Sequence, residues 1–133
     1  MPERLMDGII TNKPYQNILA WQKSYEFVIE VYRLTKFFPN EEKYGIVSQL
    51  RRAAVSVSAN IVEGRAKPSD KDFLRFLNIA KGSLWECQFF LKLSKDLGYL
   101  NDTEYEYLED LRTQTDFLLF RFIKKIGTEI RPF

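Results

Sequence analysis

The residues best suited to chemistry gather between Ser48 and Gly64, a stretch that reads S-Q-L-R-R-A-A-V-S-V-S-A-N-I-V-E-G. Arg52, Ser56, Asn60 and Glu63 recur there at i, i+4, i+8 and i+11. That spacing makes one continuous polar stripe along a helix. Two readings of it compete. The stripe can hydrogen-bond to a neighbouring helix or to the loop that opens the next one, with an Arg–Glu pair that must be well satisfied if it is partly buried. Alternatively, Arg51, Arg52, Arg65, Lys67, Lys71 and Arg75 converge near the turn that follows and contact phosphates, to which the planar guanidinium fork is matched. A third use, Asn60 and Glu63 as an acid–base pair, has little around it. The chain has no histidine, so imidazole acid–base chemistry, His-containing triads and the Glu-x-x-His motifs of di-metal bundles are excluded. There is no Gly-rich phosphate loop and no nucleophile elbow. The single cysteine, Cys87, cannot form an internal disulfide, and its place on an apolar stripe marks it as a buried structural thiol. The expectation is a non-enzymatic protein with no cofactor and no metal.

Twenty Lys+Arg against eighteen Asp+Glu leave a net charge of +2, too small by itself to point to nucleic acid. An assembly of several copies would multiply whatever basic patch one chain carries. The first eight residues carry charges where a signal peptide needs an apolar run. No stretch approaches the ~18 apolar residues of a membrane span. The densest run, Phe117-Leu118-Leu119-Phe120, is interrupted by Asp116 and Arg121. The expected setting is a reducing cytoplasm, with no membrane contact.

The elements that must carry these residues are helices. Hydrophobic residues at 45% and charged residues at 29% give a globular balance. Four periodic segments are separated by Phe38-Pro39-Asn40, Ala66-Lys67-Pro68-Ser69 and Gly98-Tyr99-Leu100-Asn101. The first helix is expected from about Asn17 to Phe37, with Trp21, Tyr25, Val28 and Tyr32 on its inner face. The second runs from about Glu41 to Arg65, with Val47, Leu50, Ala54, Val57 and Ile61 inward, Glu41 and Glu42 in its first turn and Gly64 able to break it. The third starts at the N-cap Ser69, carries Phe73, Leu77, Ala80, Leu84, Cys87 and Leu91, and stops at Gly98, a natural left-handed residue. The fourth opens with Asn101 and Glu104 in a capping-box spacing, carries Leu108, Leu111, Thr115, Leu118, Phe122 and Ile126, and ends at Gly127. Its acidic first half and its basic Arg121, Lys124 and Lys125 suit the helix dipole, or a basic partner. Short breaks between long helices imply an all-α, antiparallel up-down-up-down four-helix bundle over residues 17–127. Residues 1–16 read as a short N-terminal arm and 128–133 as a C-terminal tail.

Helices in a monomeric bundle bury one stripe and solvate the rest. Twenty aromatic residues, 15% of the chain, strain that rule. Trp85, Phe89 and Leu93 fall roughly 100–180° from the core stripe of the third helix, and Phe117 and Phe120 fall similarly far round the fourth. Five large apolar side chains on two consecutive helices make a patch of the kind that marks association. The expectation is a homo-oligomer, either a two-fold dimer or a head-to-tail ring; the alternative is an irregular bundle whose helices splay enough to cover the patch.

Several blocks resemble a known family. Trp21-Gln22-Lys23 enters the first helix after a short lead from Tyr15. The most recognisable block is Phe38-Pro39-x-x-Glu42-x-Tyr44-Gly45-Ile46-x-Ser48-Gln49-Leu50-Arg51-Arg52-Ala53-Ala54-Val55-Ser56. Asn60-Ile61-Val62-Glu63-Gly64, Phe73-Leu74-Arg75-Phe76-Leu77 and Asp96-Leu97-Gly98-Tyr99-Leu100 continue it. Together, from roughly Tyr15 to Ile126, they resemble the bacterial four helix bundle proteins, also called 23S rRNA-intervening-sequence proteins. The resemblance implies an antiparallel four-helix bundle assembled as a homopentameric ring. It implies a binding or scaffolding role, since a related bundle is the accessory protein of diversity-generating retroelements and binds nucleic acid and a reverse transcriptase. The partners it implies are RNA or DNA, or another protein, and it supplies no catalytic residues. Val57-Ser58 stand where the family often carries Ile-Pro, so the second helix should run without a proline kink.

Overall fold

In a computed structural model of the protein, which describes residues 14–129, four long helices follow one another: α1 (Leu19–Thr35), α2 (Ile46–Arg65), α3 (Asp70–Asp96) and α4 (Asp102–Glu129). Most of the N-terminal arm and of the C-terminal tail expected from the sequence lies outside the described residues. The helices pack α1 on α2, α2 on α3, α3 on α4 and α4 back on α1, which closes an antiparallel bundle. The start of α1, the end of α4 and the α2–α3 turn share one end; the α1–α2 and α3–α4 loops share the other.

Local chemistry sets the helix limits. Ser69 Oγ accepts from the Asp72 backbone N–H at 3.2 Å and caps α3. Asn101 and Glu104 exchange the two hydrogen bonds of a capping box, at 2.9 and 2.7 Å, and start α4. Gly98 takes φ +82° and ends α3. Two limits differ from expectation. The second helix does not start at Glu41: Asn40–Glu42 form a separate 3-10 turn, and α2 begins only after Gly45. Glu42 then serves as a local cap, Oε1 accepting from the Ile46 backbone N–H at 3.2 Å. Its other oxygen accepts from Tyr99 Oη at 2.9 Å, which ties the two loops of that end together. The fourth helix runs past Gly127 to Glu129, so Arg121, Lys124 and Lys125 lie one turn inside its end rather than in it.

The third correction concerns α1. Its inner face is Ala20, Ser24, Phe27, Val31 and Leu34, with Val28 and Thr35 beside them, not the stripe of Trp21, Tyr25 and Tyr32. Small residues at the contact explain the rotation. Ser24 and Ser58, both buried, hydrogen-bond across α1 and α2 at 2.8 Å, an approach that an aromatic ring would prevent. The rings are pushed to the flank, where Trp21 stacks on Tyr25 with centroids 4.9 Å apart. The stripes expected for α2 and α3 are all buried. On α4, Leu108, Leu111, Thr115 and Ile126 are buried, while Leu118 and Phe122 are only partly so and Leu119 takes the central place.

Gly64 sits inside α2 rather than breaking it. A Cβ there would lie 2.7 Å from Phe76 Cβ and 3.3 Å from the Phe73 carbonyl oxygen. Its hydrogen is what lets α2 and α3 close to that distance just before the turn that joins them.

Candidate nucleic-acid interface and association face

The six basic residues proposed from sequence do not form one cluster. Arg51 and Arg65 are fourteen residues apart on α2, about 21 Å along the axis. Arg51 is also occupied: its Nε donates to Thr35 Oγ1 at 2.9 Å, its Nη2 to the Tyr32 carbonyl at 3.2 Å, and its guanidinium lies 4.4 Å from the Tyr32 ring centroid. It satisfies the end of α1, where carbonyls lack helical partners. Arg52 is exposed on the same half of α2. The convergence therefore covers Arg65, Lys67, Lys71 and Arg75 only.

At the α2–α3 corner two of the four, Lys67 and Arg75, lie against Phe76. Lys67 Nζ lies 5.1 Å and the Arg75 guanidinium 4.6 Å from the centre of that ring. The ring attracts both cations and so keeps two like charges close together at the surface. The nearest restraint is Asp72, whose carboxylate meets Arg75 Nε at 3.9 Å in an exposed pair worth little. Lys71 is exposed and makes no ion pair among the described residues. Arg65 lines a cleft of about 520 Å³ between the start of α1 and the last turns of α4, with Phe73 and Phe122 in its wall and Lys125 and Asp70 also on it.

The polar stripe of α2 divides. Asn60 Nδ2 donates to the Ser56 carbonyl and to Ser56 Oγ, and Ser56 Oγ meets Ser83 Oγ of α3 at 2.9 Å. Ser56 ties α2 to α3, while Asn60 bonds only within α2. Arg52 and Glu63 are both exposed, about 16 Å apart along the helix, and form no pair. Among the described residues no group of three or more acidic or cysteine side chains could hold a metal ion. Cys87 is buried, and burial pushes its thiol up to about 12. No described helix is long and apolar enough to cross a membrane.

Four of the five residues expected on an association face are about half exposed: Trp85, Phe89, Phe117 and Phe120. Leu93 is the exception, being partly buried against the bundle's own core. The face is one surface rather than two, because α3 and α4 interleave there. Lys81 Nζ of α3 lies 5.6 Å from the Phe120 ring, and Arg112 of α4 lies 5.1 Å from the Trp85 ring.

Arg112 is the residue that sequence reasoning missed. It is 3% exposed and forms a two-point ion pair with Glu109, at 2.7 and 2.8 Å. Burial lowers the basicity of its guanidinium, but the Glu109 hydrogen bonds and charge outweigh that and hold it above the ordinary arginine value. Its Nη1 and the Oδ1 of Asp116 are buried without a hydrogen-bond partner. The signal was there in Glu109, Arg112 and Asp116 at i, i+3 and i+7. Nothing in that spacing says that a charged triplet will lie under a tryptophan.

The fold defines a class: an all-α, antiparallel four-helix bundle. A sequence profile of the 23S rRNA-intervening sequence proteins matches residues 16–120, and the chain belongs to that family. It is similar to a protein of unknown function from the S23 ribosomal protein family of Bacteroides thetaiotaomicron, known from a crystal structure at 1.70 Å. The two share 33% identity and a TM-score of 0.74, over 80% of this chain and 96% of that one. No curated protein matches the chain.

Proposed function

We propose that the protein is a non-enzymatic oligomeric binding module that holds RNA, bare or within a nucleoprotein, at the α2–α3 corner. The observation that carries this reading is the pair of cations, Lys67 and Arg75, on the exposed side of Phe76, with Arg65 and Lys71 beside them. The family's name, which ties its members to intervening sequences of 23S rRNA, supports the choice of RNA. Contacts of this kind reach backbone phosphates rather than base edges, so affinity falls steeply with salt. Copies meet through Trp85, Phe89, Phe117 and Phe120. A homopentameric ring would set several such corners around one axis and multiply a field that is weak in a single chain.

Two measurements test this. Filter binding of RNA at two salt concentrations should show tight binding at low salt that weakens steeply, and Lys67→Gln with Arg75→Gln should reduce the salt slope by about 1.4 to 2. Binding with unchanged slope removes the corner from the interface. Sedimentation should give a mass several times 15.8 kDa, and Phe89→Ser with Phe117→Ser should lower it while leaving helicity intact. A heavy species that survives that double change places the association surface elsewhere.

A further inference from the structure

The opposite end of the bundle carries a second set of cations and rings. A cleft of about 210 Å³ lies under the α1–α2 loop, and its walls include Lys36, Phe38, Asn40, Lys43 and Arg51. No carboxylate lines it. Lys36 and Lys43 make no ion pair among the described residues, whereas Glu42 of the same loop is engaged by the Ile46 backbone N–H and Tyr99 Oη. Glu41 is exposed outside the cleft. Arg51 is fixed by two hydrogen bonds and the Tyr32 ring, so its charge is held at the cleft without further ordering. Beside this cleft stand the two most exposed large hydrophobic side chains of the described residues, Phe37 at 81% and Tyr44 at 86%. Each follows one of the lysines directly, and Lys43 Nζ lies 5.5 Å from the Tyr44 ring centre.

Neither ring contributes to the core at that exposure, so packing does not account for them. Cations that converge on a small cleft match one phosphate, and exposed rings beside it match the faces of unpaired bases. A duplex hides those faces, and an acidic peptide would use the cations without needing the rings. We propose that this end of the bundle is a second nucleic-acid contact, which takes a single-stranded segment with a backbone phosphate between Lys36, Lys43 and Arg51 and bases stacked on Phe37 and Tyr44. It lies about 30 Å from the α2–α3 corner, the length of α2, so one strand running along the bundle reaches both. The choice of nucleic acid rests on the function proposed above; the location does not.

Fluorescence anisotropy with a labelled oligouridylate long enough to span both ends tests it. Phe37→Ala with Tyr44→Ala should weaken binding at least tenfold with the salt slope unchanged, because stacking is lost and charge is not. Lys36→Gln with Lys43→Gln should reduce the slope by about 0.7, one phosphate at the single-strand value. Lys67→Gln with Arg75→Gln separates the two readings. If that pair binds like the parent while the changes at Phe37 and Tyr44 weaken binding, the corner falls and this site stands. If Phe37→Ala with Tyr44→Ala binds like the parent, or the parent does not bind at low salt, the inference is overturned. It is equally overturned if that pair alters only the sedimentation mass, since the rings then cover a second copy.

Discussion

Gly64→Ala should destabilise the protein, although alanine is the better helix former. Inside an exposed helix the change gains about 1 kcal/mol. At Gly64 the new Cβ meets Phe76 Cβ at 2.7 Å, about 0.7 Å inside ordinary contact, and Phe73 Cδ1 at 2.9 Å. Phe76 Cβ is anchored to the backbone of α3, and the Phe73 carbonyl oxygen at 3.3 Å is backbone itself. Neither can swing away as a flexible side-chain end would, so α2 and α3 must separate at the corner. Overpacking of this kind costs about 1–3 kcal/mol. The net expectation is a loss of up to about 2 kcal/mol, a fall of up to several degrees in Tm for a chain of this size. Gly82 is the internal control. It lies within α3, and a Cβ there meets nothing within 4 Å, so Gly82→Ala should raise Tm by a comparable few degrees. Thermal unfolding followed by circular dichroism at matched concentration, with denaturant titration as a second measure, gives both values. Opposite signs are the signature of the close approach. If Gly64→Ala stabilises as Gly82→Ala does, the helices are not packed at the distance described here. Because the corner carries Lys67 and Arg75, Gly64→Ala should also weaken RNA binding, whereas Gly82→Ala should not.

Two further outcomes follow from buried groups. With the Cys87 thiol pushed from 9.0 up to about 12 by burial first and Glu86 second, its neutral form is favoured in the folded state. Its contribution to stability is therefore complete below pH 9 and declines by about 1.4 kcal/mol per pH unit above it, toward pH 12. Denaturant melts at pH 8 and pH 10 should show a steeper loss for the parent than for Cys87→Ala, and equal losses would refute the burial argument; at pH 8 the folded protein should resist thiol reagents. Arg112→Met keeps the stem under Trp85 but removes the charge from Glu109, so it should cost about 2–4 kcal/mol if the buried pair matters as a pair, less if Glu109 swings into water. In a Trp21→Phe background its Trp85 emission reports whether the ring keeps its seat. Unchanged stability together with unchanged emission would show that Arg112 serves neither contact.

Much of the architecture follows from periodicity and punctuation. Ser69, Gly98 and the Asn101–Glu104 pair act within one turn of themselves, so their effect on helix limits is local and legible in the chain. The core stripes of α2 and α3 were equally legible, because their inner faces are built from aliphatic residues at unbroken helical spacing. On α1 the same logic failed. Its largest aromatic residues do share a face, but close packing at Ser24 and Ser58 turned that face to the flank, and a contact between residues 24 and 58 is not a property of either segment.

The candidate sites divide in the same way. From sequence alone came the fold class, the excess of aromatic surface on α3 and α4, and the identity of the charged residues, since each depends on composition and spacing along one helix. Only the tertiary structure decided which charges meet. It tied Arg51 to the end of α1, set Lys67 and Arg75 on one ring, sank Arg112 beneath Trp85, and left Phe37 and Tyr44 in water beside a cationic cleft. Those outcomes depend on distances between helices, and helix separation is set by the small residues at each contact, whose effect is felt only once both partners are in place.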